Sequence, residues 1–187
     1  MAAPTSLPFT ESEEANRLLA SNPLALLIGM LLDQQVPMER AFLAPHLLEQ
    51  RVGRPLDAAH LAAMSSGELE DAFRGPPALH RFPGSMAKRT GELCRHLVAE
   101  YDGDAASLWI GADDGRDLER RLRALPGFGE SKARIFVGVV GKRLGAGPPG
   151  WQERAADWPS IADVDSFDKV AELREAKRAM KQGSTGP

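Results

Sequence analysis

Cysteine is almost absent from this chain of 187 residues. The single one, Cys94, excludes an internal disulfide framework, a four-cysteine iron–sulfur cluster and any structural zinc site built on thiolates. Histidine is sparse as well. His46, His60, His80 and His96 stand without the spacing a metal needs, so no metal held by side chains is expected. Long apolar runs are also missing: the longest, Pro23–Leu32, falls far short of the roughly 20 residues of a membrane-spanning helix. No basic, apolar, small-residue leader opens the chain. A soluble, cytoplasmic protein is predicted, associated with the nucleoid if bacterial, with no membrane partner. The formal charge of −3 argues against a general nucleic-acid coat but leaves room for a local basic surface. What is present is ordinary. Apolar residues make up 43% and charged residues 26%, the balance of a globular domain.

Helix signals follow one another along the chain, with no convincing strand and no internal repeat. Residues 1–10 hold two prolines and no periodicity, which predicts a flexible arm. Thr10, Ser12, Glu13 and Glu14 read as a helix start, with a capping hydroxyl and acids in the first turn. Asn22-Pro23 restarts the chain, Asn as N-cap and Pro at the first helical position. The next helix, over 24–33, is apolar on nearly every side and is therefore expected to be the buried central one. It ends in Asp33-Gln34-Gln35-Val36-Pro37. Further helices are expected over 38–51, 68–73, 86–101, 116–124, 131–144 and 168–180, with a flexible tail over 182–187; a loop through Gly53 and Pro55 leads to 57–64, and a Gly/Pro-rich loop over 145–150 precedes 151–157. The expected organisation is all-α, with one helical domain over 11–181.

The most informative segment is Leu122-Arg123-Ala124-Leu125-Pro126-Gly127-Phe128-Gly129-Glu130-Ser131-Lys132-Ala133. Two helices joined by Pro-Gly-Phe-Gly form a tight turn, because glycine admits backbone conformations that other residues resist. The second helix then starts with free N–H groups beside two residues without side chains. Such a start suits a phosphate oxygen, contacted directly or through a cation held by turn carbonyls. Pro126 and Phe128 would pack inward and hold the turn, and Leu125, Gly127, Gly129, Ser131 and Lys132 complete the expected DNA-binding hairpin. Over 116–143 there are eight Lys and Arg against three acids, a local balance of +5, as sequence-independent phosphate contacts require. An ordinary helix connection with a glycine cap is the plainer alternative.

This hairpin resembles that of the helix-hairpin-helix DNA glycosylases, the superfamily (HhH-GPD) of endonuclease III and 3-methyladenine DNA glycosylase II. Other segments agree in order. Leu31-Leu32-Asp33-Gln34-Gln35-Val36 is similar to the L-x-Q-Q-V stretch of the 3-methyladenine branch. Phe82-Pro83-Gly84-Ser85-Met86-Ala87-Lys88-Arg89 looks like the family's G-x-S-x-x-K/R helix start. Trp158-Pro159-Ser160-Ile161-Ala162-Asp163-Val164-Asp165-Ser166 is similar to its W-P-x-x-x-V-D-T segment. The resemblance spans roughly residues 20 to 180.

The resemblance implies a two-lobed helical fold with a DNA-binding cleft. It also implies a monofunctional hydrolase of base excision repair, acting as a monomer on double-stranded DNA that carries a damaged base. A non-catalytic binder of distorted DNA is the alternative. The family's catalytic carboxylate falls on Asp165, with Asp163 as the rival because the segment is one residue longer than the pattern. It would stabilise the positive charge that develops on the sugar. The lysine that gives other members a lyase activity is replaced by Ser131. Lys132 follows, but one helical step turns a side chain by about 100°, so Lys132 is expected to face phosphate or solvent. A flipped-out base leaves a gap, and Gln34 or Gln35 would fill it, Gln35 being the closer match. No cofactor and no iron–sulfur cluster are implied. The Gly/Pro-rich stretch over 145–157 is longer than the family's usual link, and it would either border the pocket or displace the carboxylate.

Overall fold

The structure, a computed structural model, describes residues 2–184. Among them there are eleven α-helices and no strand, so the fold is all-α. Local chemistry accounts for most of the boundaries. Helix α1 (Glu13–Ser21) begins at Ser12, whose hydroxyl accepts the Ala15 N–H. Asn22 closes α1 and opens α2 (Pro23–Leu32), its amide oxygen accepting the N–H groups of Leu24 and Ala25 at 3.0 and 3.3 Å. Every residue of α2 from Leu24 to Leu32 is buried. Helix α3 (Met38–Val52) lies close against it because Gly29 has no side chain: a Cβ there would sit 2.5 Å from the Phe42 ring. Helix α4 (Ala58–Ala63) is followed by α5 (Ser66–Arg74), opened by the reciprocal Ser65–Glu68 capping box. Helix α6 (Pro83–Tyr101) packs on both, starting at Pro83 rather than at 86.

A short α7 (Ser107–Ile110), not foreseen from the sequence, leads to α8 (Gly115–Arg123) and α9 (Glu130–Gly138). The expected continuous helix to 144 instead changes to a π-helical turn over Val139–Arg143. Helix α10 (Trp151–Arg154), a 3-10 turn (Ile161–Asp163) and α11 (Asp168–Gly183) complete the chain. Helices α1 to α6 pack among themselves, and α7 to α11 do likewise. The side chains of both groups join one apolar core. No single described helix is long and apolar enough to cross a membrane.

The flexible arm and the flexible tail both need correction. The arm over 1–10 is docked at its C-terminal end: Leu7 and Phe9 are buried, Phe9 meets Phe42 edge-on, and Thr10 hydrogen-bonds Asn16. Two apolar residues too few to show a period still find a place in the core. Of the expected tail, Gln182 and Gly183 belong to α11, while residues 185–187 lie outside the described ones. The Gly/Pro-rich stretch packs on α8 and α9. A Cβ on Gly141 or Gly147 would fall 2.3 Å from the Trp151 ring, and one on Gly115 would fall 2.5 Å from the Gly150 carbonyl. Arg154 of α10 binds the buried Glu119 of α8 at 2.6 Å.

Candidate nucleic-acid interface

The α8–α9 turn is built from the inside outward. Leu125 and Phe128 are buried, and Phe128 meets Phe136 edge-on with ring centroids 6.3 Å apart. Its N–H donates to the Leu125 carbonyl at 3.1 Å, which closes the turn. Pro126 is half-buried. Gly127 has φ +82°, and a Cβ there would lie 2.3 Å from Leu31 Cδ1. Glycine is thus required twice, by backbone conformation and by the approach of α2. Gly129 is different. Its φ is −82°, nothing lies within 4 Å of an added Cβ, and its surface is open.

Gly129 caps α9 without any side-chain acceptor. The N–H groups of Gly129, Glu130, Ser131 and Lys132 therefore donate to nothing among the described residues. These unsatisfied donors and the positive end of the helix suit an anion. The positive charge around them is smaller than the sequence count. Arg121 is tied to Asp117 and the Gly111 carbonyl, Arg134 lies over Trp158, and Lys142 pairs with Asp163. Arg116 and Arg123 remain exposed and without a side-chain partner among the described residues.

Lys132 departs from expectation. Its side chain turns inward, and Nζ donates to the Leu31 carbonyl at 2.8 Å. Burial pulls the amine down to about 8, against the raising field of Asp33 and with a small further lowering by Arg89. The step of about 100° from position 131 turns Lys132 away from the direction of Ser131, and α2 offers it a carbonyl there.

The end of α2 supplies the opposite wall. Gln34 is fully engaged: its amide nitrogen donates to Leu31 O at 2.9 Å and its amide oxygen accepts from Arg89 at 3.2 Å. Its backbone carbonyl accepts from His80 Nε2 at 2.9 Å, while the Phe82 N–H donates to His80 Nδ1 at 3.0 Å. Burial lowers the pKa of His80, and both ring nitrogens are used as in the neutral imidazole. Gln35 is the exposed member of the pair. It has φ +57° and no side-chain hydrogen bond among the described residues. Asp33, singled out by sequence only as part of the polar end of α2, is half-buried, and burial pushes its carboxyl up despite Lys177 and Lys132. An acid directly after nine buried apolar residues was the available signal.

Thus Leu31, Gln34, Gly127 and Lys132 are brought together, with Gln35 and Asp33 beside them. The two expected carboxylates are engaged elsewhere. Asp165 precedes α11, exposed, in an ion pair with Lys169 at 2.8 Å that lowers its pKa. Asp163 completes a capping box with Ser160 and binds Lys142 at 2.6 Å. Burial raises its carboxyl, but the Lys142 and Ser160 hydrogen bonds and the charges of Lys142 and Arg143 bring it below its ordinary value. No family model, curated protein or solved structure matches the chain.

Proposed function

We propose that the chain is a monofunctional DNA N-glycosylase with a two-lobed helix-hairpin-helix glycosylase fold, acting as a monomer on double-stranded DNA that contains a damaged base. The observation that carries this reading is the docking of the Gly127 turn on Leu31. It brings the open N-terminus of α9 against Leu31, four residues before the exposed Gln35 that follows the end of the buried helix. In this reading the amides of 129–132 take a backbone phosphate oxygen, directly or through a cation on the turn carbonyls. Gln35 enters the gap left by the extruded base, and the positively tilted backbone holds its side chain outward. Hydrolysis of the base–sugar bond follows, aided by a carboxylate that opposes charge on the deoxyribose. No cofactor takes part.

Incubation with duplexes carrying single alkylated, deaminated or oxidised bases, followed by alkali, tests the activity. Strand cleavage at one lesion type, dependent on alkali, is expected. One observation favours the second reading, a binder of distorted DNA without chemistry: Asp165 and Asp163 are each committed to a lysine. Tight binding to a lesion duplex with no excision of any base would select it.

A further inference from the structure

The two groups of helices meet around a cavity of about 510 Å³, large enough for a small organic molecule. Thr10 and Ser12 line it from the approach to α1, Glu39, Arg40 and Leu43 from α3, and Phe167 from the residue before α11. Phe167 comes two residues after Asp165, and Glu39 four residues after Gln35. Most polar groups on the wall are engaged. The Thr10 hydroxyl bonds Asn16 Oδ1 at 2.9 Å, the Ser12 hydroxyl accepts the Ala15 N–H, and Arg40 donates to the Ala78 carbonyl at 2.9 Å. Glu39 differs. One of its carboxylate oxygens is held by Arg174 of α11, while the other, Oε2, is buried and has no partner among the described residues. A carboxylate oxygen withdrawn from water without a donor costs stability. A donor that arrives with a ligand accounts for it.

We propose that this cavity receives the extruded base, and that Glu39 selects bases carrying an N–H donor, such as an exocyclic amine, on the edge away from the sugar. This rests on the glycosylase reading above and adds a specificity-determining residue to it. The ring of Phe167 offers the base an apolar face. Oε2 can only accept, so it takes a hydrogen bond from the N–H of the base. Arg174 occupies the first oxygen, which leaves a single acceptor for the ligand. A base that turns only lone pairs toward Oε2 leaves that oxygen unpaired and repelled, and is rejected.

The test uses duplexes that do not react. Each carries a 2′-fluoroarabino nucleotide, whose fluorine resists loss of the base, opposite a difluorotoluene nucleotide that makes no base-pair hydrogen bond. The base is adenine in one and unsubstituted purine in the other, so the two differ by one amino group. The unaltered protein should bind the adenine duplex at least about tenfold tighter, the effect of one hydrogen bond to a charged group. Glu39→Gln keeps an amide oxygen for Arg174 and puts a donor in place of Oε2, so it should remove or reverse that preference. Leu43→Trp fills the cavity from α3. It should bring both duplexes down to the affinity of one with tetrahydrofuran in place of the purine, and it serves if the glutamine variant does not fold. Equal binding of the adenine and purine duplexes by the unaltered protein overturns the role of Glu39, as does a preference that survives Glu39→Gln. Base-dependent affinity that survives Leu43→Trp overturns the cavity. In each case a tetrahydrofuran duplex still bound better than unmodified duplex leaves the glycosylase reading standing without this assignment. If it is bound no better, that reading fails and the assignment falls with it.

Discussion

The ammonium of Lys132 reaches the carbonyl of Leu31 across 101 positions of sequence, at 2.8 Å. That bond joins the first turn of α9 to the last turn of α2. It also shares its acceptor with Gln34, so the carbonyl stays satisfied if the lysine is removed. The folded pKa of Lys132, about 8, lies below its ordinary 10.5. Between those two values the unfolded chain binds more protons than the folded one, so the contribution of Lys132 to stability rises with pH through that window. Lys132→Met should therefore raise the melting temperature relative to the unaltered protein at pH 7, and the gain should shrink by pH 10. Thermal melts at both values check this; a gain that grows with pH would contradict it.

The two hairpin glycines should separate fold from binding. Gly127→Ala forces a positive φ on a side chain and drives its Cβ into Leu31, a cost of roughly 1–3 kcal/mol from the backbone alone. Gly129→Ala meets no atom and no forbidden φ, so thermal stability should hold or rise slightly. Its methyl group stands where a phosphate would approach, and duplex affinity should fall for all sequences alike. Salt titration of the unaltered protein should show a steep loss of binding. Affinity that ignores Gly129→Ala removes the hairpin from the interface.

The two glutamines at the end of α2 should also part company. Gln34→Ala leaves Arg89 without its amide oxygen and destabilises by about 1 kcal/mol. Gln35→Gly relieves the left-handed backbone and should stabilise by up to about 1 kcal/mol. The same change should weaken binding to an abasic-analogue duplex more than to unmodified duplex. Denaturant unfolding and competition binding read the two effects separately.

Borohydride added to the protein with a duplex containing a natural abasic site should trap no efficient covalent complex. Ser131 cannot form a Schiff base, and the amine of Lys132 is held on Leu31 O and mostly protonated at pH 7. Strong trapping that disappears in Lys132→Ala would identify that amine as a nucleophile and the protein as a lyase.

Asn22-Pro23 and nine consecutive apolar residues were enough for α2, because a cap and its N–H lie within three residues. The hairpin was legible for the same reason: its glycines act on their own backbone. Leu7 and Phe9 gave no period, so their burial depended on α1 and α3 being in place. The directions of Lys132 and Asp33, and the pairing of Asp165 with Lys169, could not be read. A long charged side chain has many rotamers of similar energy. Which one is kept depends on the carbonyls, ions and desolvation that other elements bring to it, and only the tertiary structure decides those.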